Sequence, residues 1–319
     1  MDRSADEVVA AQVEGFPPIM YLLTPNLMLD NDYRLPSYIE ASDTPVIPGV
    51  DLATMPDAIR ELLTRQRTVA EFTEEEAMNG NRGYPSKLTT GDDGWVETPE
   101  ATGPPADGTY PVLSIDCEMV RPASQGLREI LVADEPSKIV TEKGQELARI
   151  SIIDFKTGTN IFDHLVSPSD LVLDYRTQWS GMTASRLAEA THTLSTIQKA
   201  LFDPANPIIT PHTILLGHSL ECDLAAIKLR HPLCIDTALI YKNPKGAGYK
   251  PALKWLAQKW LGRSIQQASS GHDSEEDAMT CVDLLKLKMA HGEAPLLDYY
   301  SRALADVLGR TRVWQLYRS

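Results

Sequence analysis

Alternating and continuous apolar runs over the second two-thirds of the chain predict a sheet followed by helices. Three strand-like runs come first, at 111–120, 147–154 and 160–166, and a Lys-Thr-Gly turn between the last two indicates antiparallel pairing. The later patterns predict helices at 183–190, 193–202, 219–230, 251–261 and 274–290, with short buried strands at 213–217 and 233–236. A meander followed by alternating helices and strands favours a mixed α/β sheet with helices on its faces.

A stretch rich in Gly and Pro precedes this region. Residues 88–108 contain four Gly and three Pro with almost no apolar periodicity, which is typical of a linker. We therefore divide the chain into an acidic N-terminal region at 1–87, the linker, an α/β domain at 109–290 and a C-terminal helical tail at 291–319.

Charge is distributed unevenly along the chain. Its formal net charge is −14, of which residues 1–107 carry −13 and residues 108–319 carry −1. The window 228–263 holds eight basic residues against one acid. Such a window can attract a phosphate backbone even on an acidic protein, whereas lysines scattered over a solvated face are the alternative.

Several classes of protein are not expected from this sequence. No apolar run approaches the roughly 18 residues of a membrane span, and the acidic start lacks the features of a secretory signal. The four cysteines form no C-x-x-C pair, which favours reduced thiols inside a cell. We expect an intracellular protein with no membrane partner.

Two carboxylates share one face of the first predicted strand. Side chains alternate along a strand, so Ser114, Asp116 and Glu118 point to the same side. Neighbouring carboxylates in a protein interior are costly unless protons or a cation neutralise them, and a hard divalent cation prefers carboxylate oxygens. The alternative is an edge strand whose polar face meets solvent.

Two more carboxylates stand in the first turns of predicted helices. Asp223 follows a predicted N-cap at Ser219, and Asp277 follows one at Ser274. Either acid has a structural alternative, because a carboxylate in a first turn favours the helix dipole. Four carboxylates can hold two Mg²⁺ or Mn²⁺ ions for phosphodiester hydrolysis, and His272 has the right chemistry to accept a proton from the attacking water.

Seven phrases carry a family resemblance over about 108–290: IDCEMV, ELARISIID, DYRTQWSGMT, GHSLECDL, IDTALIY, LKWLAQKWLGRSIQ and GHDSEEDA. Together they resemble the eukaryotic REX-type RNA exonucleases, which are DEDDh 3′→5′ exonucleases of the ribonuclease H-like superfamily. The resemblance implies a ribonuclease H-like mixed five-stranded sheet with flanking helices, and two Mg²⁺ or Mn²⁺ ions as cofactors. It also implies His272 as general base and four metal ligands: Asp116, Glu118, Asp223 and Asp277.

A hydrolase that removes one nucleotide at a time must hold the last sugar and base of a single strand and the phosphates behind them. Met119 is a candidate wedge against the last base, with ordinary core packing as the alternative, and Arg176 matches the family position near the terminal ribose. Lys242, Lys245 and Lys250 belong to the basic window and are candidates for a phosphate track. Residues 121–146 and the tail after residue 290 depart from the family pattern.

The functional expectation is a two-metal-ion exoribonuclease that releases 5′-mononucleotides from single-stranded RNA 3′ ends. The resemblance suggests trimming of non-coding RNA in the nucleus. Two alternatives stay open: a DNA 3′→5′ exonuclease, and a non-catalytic interaction module on a nuclease fold. In either case the acidic N-terminal region is a candidate surface for a protein partner.

Overall fold

A mixed sheet forms the centre of the fold. The computed structural model describes residues 18–48, 94–123, 145–241, 243, 249–267 and 271–291. Its strands are β1 (Val96–Glu97), β2 (Val112–Pro122), β3 (Glu146–Asp154), β4 (Asn160–Leu165), β5 (Val172–Asp174), β6 (Ile214–Gly217), β7 (Leu229–Arg230) and β8 (Cys234–Asp236). The main order is β4-β3-β2-β6-β8, antiparallel from β4 to β2 and parallel from β2 to β8, and β5 pairs with β2. The expected mixed sheet with flanking helices is confirmed, and β5 adds a sixth strand to the expected five.

Helices and turns connect these strands. After a 3₁₀ turn at Pro18–Tyr21 come α1 (Pro25–Asp30), α2 (Thr177–Ser180), α3 (Ala184–Leu187), α4 (Leu194–Leu201), α5 (Leu220–Ala226), α6 (Thr237–Ile240), α7 (Leu253–Leu256) and α8 (Ser274–His291). A π-helical turn at Ala257–Leu261 follows α7. Across the described ranges, no helix has both the length and the apolarity that crossing a bilayer requires.

Apolar side chains cover both faces of the sheet, whose central strand is β2. On one face, Leu216 of β6 belongs to a buried cluster with Val282 of α8. On the other face, Ile115 of β2 packs in a cluster with Ile197 of α4 and Leu224 of α5. Burial of this apolar surface is the main force that fixes the helices against the sheet.

The N-terminal segment 18–48 packs onto the same sheet. The backbone N–H of Leu23 donates to the Cys234 carbonyl at 2.9 Å, so the segment protects the outer edge of β8. Met28 and Tyr33 are buried in the cluster that contains Ile115. The described part of the acidic region therefore contributes to the apolar core of the fold, while 1–17 and 49–93 lie outside the described residues.

The predicted helix over 219–230 ends earlier than its apolar pattern indicates. Helix α5 stops at Ala226, Lys228 adopts a φ of +50°, and the next two residues form β7. Strand β7 pairs in parallel with β1, which lies inside the predicted linker. The pairing partner comes from far earlier in the chain, so local periodicity did not indicate this strand.

A buried histidine fastens the β1–β7 pair to the main sheet. His231 Nδ1 lies 2.8 Å from Thr98 Oγ1, and His231 Nε2 lies 2.7 Å from the Thr213 carbonyl oxygen. Since a carbonyl only accepts, Nε2 carries the proton and Nδ1 accepts from the hydroxyl. Burial lowers the pKa of His231 to about 4, so the folded protein keeps this ring neutral.

Replacing His231 with Gln tests this assignment. In the unfolded chain an imidazole protonates near pH 6.5, whereas in the fold it stays neutral until about pH 4, so wild-type stability falls as pH drops between these values. The loss should reach roughly 3 kcal/mol. Urea unfolding of the ion-free protein from pH 7.5 to pH 4 should show a shallower acid-side loss for His231→Gln, and equal losses in both proteins would contradict the assignment.

Candidate active site

Strand β2 presents Asp116 and Glu118 on the face that α8 covers. Ser114, on the same side, donates its hydroxyl proton to the Ala278 carbonyl at 2.7 Å, which brings the first turns of α8 directly against this face. Glu118 is buried and Asp116 is partly exposed. The alternation predicted from the sequence holds, because Cys117 packs in the cluster on the opposite side.

Helix α5 brings Asp223 to the same strand. Its Oδ1 accepts a hydrogen bond of 2.8 Å from the backbone N–H of Cys117, the residue between the two β2 carboxylates. The predicted cap at Ser219 is wrong in its chemistry, because this residue has a φ of +54° and makes no side-chain cap. Its backbone N–H instead donates to Asp236 Oδ1 at 2.9 Å. This buried acid on β8 therefore fixes the position of the start of α5.

Helix α8 supplies Asp277 opposite β2. Its Oδ2 accepts a 2.8 Å hydrogen bond from Gln266 Nε2, and its Oδ1 is buried with no hydrogen-bond partner. His272 precedes the helix, with Nδ1 3.7 Å from Asp277 Oδ2, beyond a hydrogen bond. The structure thus brings together four carboxylates and one histidine that are widely separated in sequence.

Burial raises the pKa of every carboxyl group in the cluster, and repulsion from other members of the cluster adds to the rise at Asp116 and Glu118. For Glu118 the pKa rises to about 9, through desolvation first and then the charge of Asp277. Desolvation likewise raises the pKa of Asp277 to about 7. The pKa values of Asp116 and Asp223 lie well above the usual range, again chiefly through desolvation, and the Asp223 charge is the next cause at Asp116. Without a counter-ion these groups resist ionising together.

The donor set fits divalent cations of the Mg²⁺ class. Carboxylate oxygens are the ligands such ions prefer, and two of them, Glu118 Oε1 and Asp277 Oδ1, are buried without a hydrogen-bond partner. Within the described stretches, no three His, Cys, Asp or Glu side chains already converge as an ion shell. An ion would therefore draw these repelling oxygens closer together.

The surroundings of His272 keep its ring neutral. Desolvation lowers the pKa of His272, and the charge of Lys254 lowers it further. The backbone N–H of His272 donates to the Trp179 carbonyl at 2.7 Å, which fixes the turn that bears the ring. A neutral imidazole in a fixed turn can accept a proton, as a general base must.

Arg149 belongs to the candidate site, although the sequence analysis did not identify it. It lies opposite Glu118 in the β2–β3 ladder. Its Nε and Nη2 donate to both oxygens of Asp163 at 2.9 and 2.8 Å, and its Nη1 donates to Asp273 Oδ1 at 2.7 Å. The guanidinium thus joins β3, β4 and the start of α8, and it partly offsets the rise in pKa at Glu118. Its only sequence signal was a single charge inside an apolar strand.

The start of α8 also differs from the prediction in its cap. Ser274 Oγ lies 2.7 Å from Ser151 Oγ and so is used to bind β3. Asp273 takes the capping role, with Oδ1 accepting from the Glu275 N–H at 3.2 Å. Both contacts fix α8 to β3 beside the carboxylates.

Gln266 is a second residue of the candidate site that the sequence analysis did not identify. Besides its bond to Asp277, its backbone N–H donates to Glu276 Oε2 at 2.9 Å, and its carbonyl accepts from Lys254 Nζ at 3.1 Å. These contacts hold it at a φ of +55°, a region that side-chain-bearing residues rarely adopt. Neither the strain nor the partners is visible in the local pattern.

The residues predicted to contact the substrate differ in their burial and in their partners. Met119 follows a register shift in β2 and packs, partly buried, against the cluster around Ile115, as the packing alternative expects. Arg176 is half-buried in the turn before α2, with a φ of +50°. Lys250 Nζ lies 2.6 Å from Glu221 Oε1, so an acid already pairs with this member of the basic window.

The other basic residues of the window 228–263 do not test the predicted phosphate track. Lys242 and Lys245 lie outside the described residues. Arg263 pairs with Asp283 at 2.9 Å, and Lys259 lies over the ring of Trp260. Net charge along the sequence did not indicate these partners.

The chain is similar in sequence to several known exonucleases. No protein-family model matches the chain. The chain is 44% identical over 203 residues to an uncharacterized exonuclease of Schizosaccharomyces pombe, covering 63% of this chain and 28% of that protein. It is 35% identical over 240 residues to RNA exonuclease 1 of Saccharomyces cerevisiae, covering 74% of this chain and 38% of that protein. The chain resembles the eukaryotic REX-type RNA exonucleases.

The resemblance expected from the motifs is thus confirmed, and it extends to human RNA exonuclease 5. Identity there is 36% over 197 residues, covering 61% of this chain and 22% of that protein. The chain spans less than two-fifths of each of these three relatives.

Solved structures with a similar fold include the Pan2 catalytic unit of Neurospora crassa, at a TM-score of 0.44 and 24% identity, covering 70% of this chain and 32% of that one. The Saccharomyces cerevisiae Pan2 pseudoubiquitin hydrolase–RNA exonuclease module in complex with AAGGAA RNA gives a TM-score of 0.48 at 23% identity, covering 65% and 33%.

Replacing Glu118 with Gln should stabilise the ion-free protein. A carboxyl group whose pKa is raised by folding stabilises the fold below its unfolded pKa, and this contribution is lost as pH rises toward about 9. Gln keeps the shape without the charge, so at pH 8.5 in EDTA its Tm should exceed the wild-type Tm by roughly 4–8 °C, about 2 kcal/mol.

The matched control is Glu275→Gln, which removes the same charge from an exposed position in the first turn of α8. Calorimetric scans at pH 5 and pH 8.5 should show the gain only for Glu118→Gln and mainly at the higher pH. Equal Tm values for the two variants at pH 8.5 would show that the Glu118 carboxyl group does not destabilise the ion-free protein.

Proposed function

We propose that the chain is a metal-dependent 3′→5′ exoribonuclease that releases 5′-mononucleotides from single-stranded RNA. The observation that carries this proposal is the buried cluster of Asp116, Glu118, Asp223 and Asp277 with the neutral His272 beside it. The names of the relatives, RNA exonuclease 1 and RNA exonuclease 5, support RNA as the substrate class.

The four carboxylates would hold two Mg²⁺ or Mn²⁺ ions. Ions bound there would activate a water for in-line attack and neutralise the charge on the leaving oxygen. His272 would accept the proton of that water at a ring nitrogen, because its neutral form prevails above its lowered pKa. Gln266 and the Cys117 N–H would keep one oxygen each of Asp277 and Asp223 in place.

Positioning of the RNA end is assigned to the turn before α2 and to basic residues nearby. Arg176, held at the start of this turn, would contact the terminal ribose, where a 2′-hydroxyl distinguishes RNA from DNA. Met119 would contact the terminal base from its partly exposed position after Glu118. Lys242, Lys245 and Lys250 would follow the phosphates, with Lys250 exchanging its partner Glu221 for phosphate.

We further propose that the substrates are non-coding RNA 3′ ends trimmed in the nucleus, and that the acidic N-terminal region binds a protein partner. The RNA proposal rests on the resemblance, and the partner proposal rests on the net charge of −13 that residues 1–107 carry. This chain spans less than two-fifths of the length of each of those relatives.

The direct test is degradation of 5′-labelled, single-stranded RNA by the full chain. With Mg²⁺ or Mn²⁺ we expect a ladder that shortens from the 3′ end, mononucleotide product, arrest by EDTA and resistance of RNA with a blocked 3′ end. A DNA oligonucleotide of matched sequence should be cut more slowly than the RNA. Arg176→Ala should reduce the ratio of the RNA rate to the DNA rate. Equal rates on RNA and DNA would remove the proposed RNA preference, and faster cleavage of DNA would favour a DNA exonuclease. No degradation of either would favour the non-catalytic interaction module.

His272→Ala should separate chemistry from binding. Losing a positioned base should lower turnover by roughly 10²–10⁴, while the Kd for RNA in EDTA changes little. His192→Ala is the matched control, because this histidine lies on the β4 side of the sheet against His164, away from the carboxylates. A His272→Ala rate equal to wild type would assign the base to another group.

A further inference from the structure

Trp179 is an exposed indole on a hydrogen-bonded turn beside the site. Its exposed fraction is 56%, although tryptophan is usually well buried in folded proteins. It stands in α2, a single turn between the ribose candidate Arg176 and the buried Met182. Leaving this large apolar surface in water is costly unless a ligand covers it.

The turn that carries Trp179 is fixed by its own hydrogen bonds. The Trp179 N–H donates to the Arg176 carbonyl at 2.7 Å, and the Ser180 hydroxyl donates to the Tyr175 carbonyl at 2.6 Å. Thr177 Oγ1 donates to the carbonyl of Met182, itself fully buried, at 2.6 Å. The indole therefore projects from a backbone that is already ordered before a ligand arrives.

This turn is joined to the turn of the proposed base, backbone against backbone. The Trp179 carbonyl accepts the His272 N–H at 2.7 Å. At Gly271 a Cβ atom would lie only 2.2 Å from the Gly181 nitrogen, so the two turns touch with no side chain between them. The position of the Trp179 backbone is thus set by the same contacts that set His272.

We propose that Trp179 is a stacking platform for a nucleobase of the single-stranded RNA near its 3′ end. Every base has a flat π-face, so an exposed indole can hold a strand without reading its sequence, and such stacking contributes strongly to single-strand binding. The half-buried Arg176 at the start of the same turn is suited to the sugar-phosphate backbone of the stacked nucleotide. This inference rests on the proposed function and adds a base subsite to it.

The test measures RNA binding by the full chain in EDTA, where cleavage is arrested. Trp179→Ala should weaken binding of a short single-stranded RNA by roughly 5- to 100-fold, and Trp179→Phe, which keeps an aromatic face, should stay within about 3-fold of wild type. Leu173→Ala is the matched control, because Leu173 is an apolar side chain of similar exposure, 54%, on β5. It should bind like wild type.

A scan with abasic nucleotides identifies the base. Removing the base that stacks on Trp179 should weaken wild-type binding as much as Trp179→Ala does, and the two changes together should add little further loss. Additive losses at every position, or wild-type affinity for Trp179→Ala, would overturn the platform. If Trp179 contacts a protein partner instead of RNA, Trp179→Ala would bind RNA with wild-type affinity.

The platform and the proposed hydrolysis can fail separately. If wild type degrades RNA while Trp179→Ala binds and cleaves normally, only the platform is wrong. If wild type binds RNA with Trp179 dependence but does not degrade it with Mg²⁺ or Mn²⁺, only the catalytic proposal is wrong. Tm values for both Trp179 variants within a few degrees of wild type would exclude misfolding as the cause of either result.

Discussion

Repulsion among four carboxyl groups, confined against β2, is the constraint on which this structure depends. Each group is held by an element that the fold cannot easily move: Asp116 and Glu118 by the central strand, Asp223 by a bond to the backbone between them, and Asp277 by α8 packed across the same face. Desolvation raises the pKa of each one. The protein thus sustains an unfavourable electrostatic arrangement that apolar packing on both faces of the sheet must offset.

Several neighbouring groups limit this cost without removing it. The buried Arg149 supplies a positive charge opposite Glu118, yet its donors are directed to Asp163 and Asp273. Gln266 satisfies one oxygen of Asp277 and leaves the other buried without a partner. This partial satisfaction is the pattern expected of a site that keeps open positions for a cation, because a fully bonded cluster would have no reason to bind one.

Much of the site could be predicted because its members occupy positions with local rules. Period-two alternation placed Asp116 and Glu118 on one face, and the family phrases connected them with Asp223, His272 and Asp277. The helix ends were less predictable. Serine is a residue type that favours N-cap positions, as at Ser274 and Ser219. In the structure, however, the Ser274 hydroxyl contacts Ser151 of β3, and the Ser219 backbone N–H donates to Asp236.

Contacts between distant segments account for the rest of what the sequence did not show. Strand β7 exists because β1 lies beside it, and a helical pattern alone did not indicate the change at Lys228. Arg149 acts through acids on β4 and before α8, and charge counting missed pairs such as Lys250 with Glu221. Register and pairing of this kind depend on the assembled sheet.

Calorimetric titration with Mn²⁺ at pH 7, in two buffers of different ionisation enthalpy, tests the central claim most directly. Because Glu118 and Asp277 keep protons near neutrality, ion binding should expel at least about one proton per protein, and fewer as the pH approaches 9. Asp223→Asn should weaken binding. Binding without proton release, or no binding at millimolar Mn²⁺, would contradict the claim that divalent ions relieve the repulsion of this cluster.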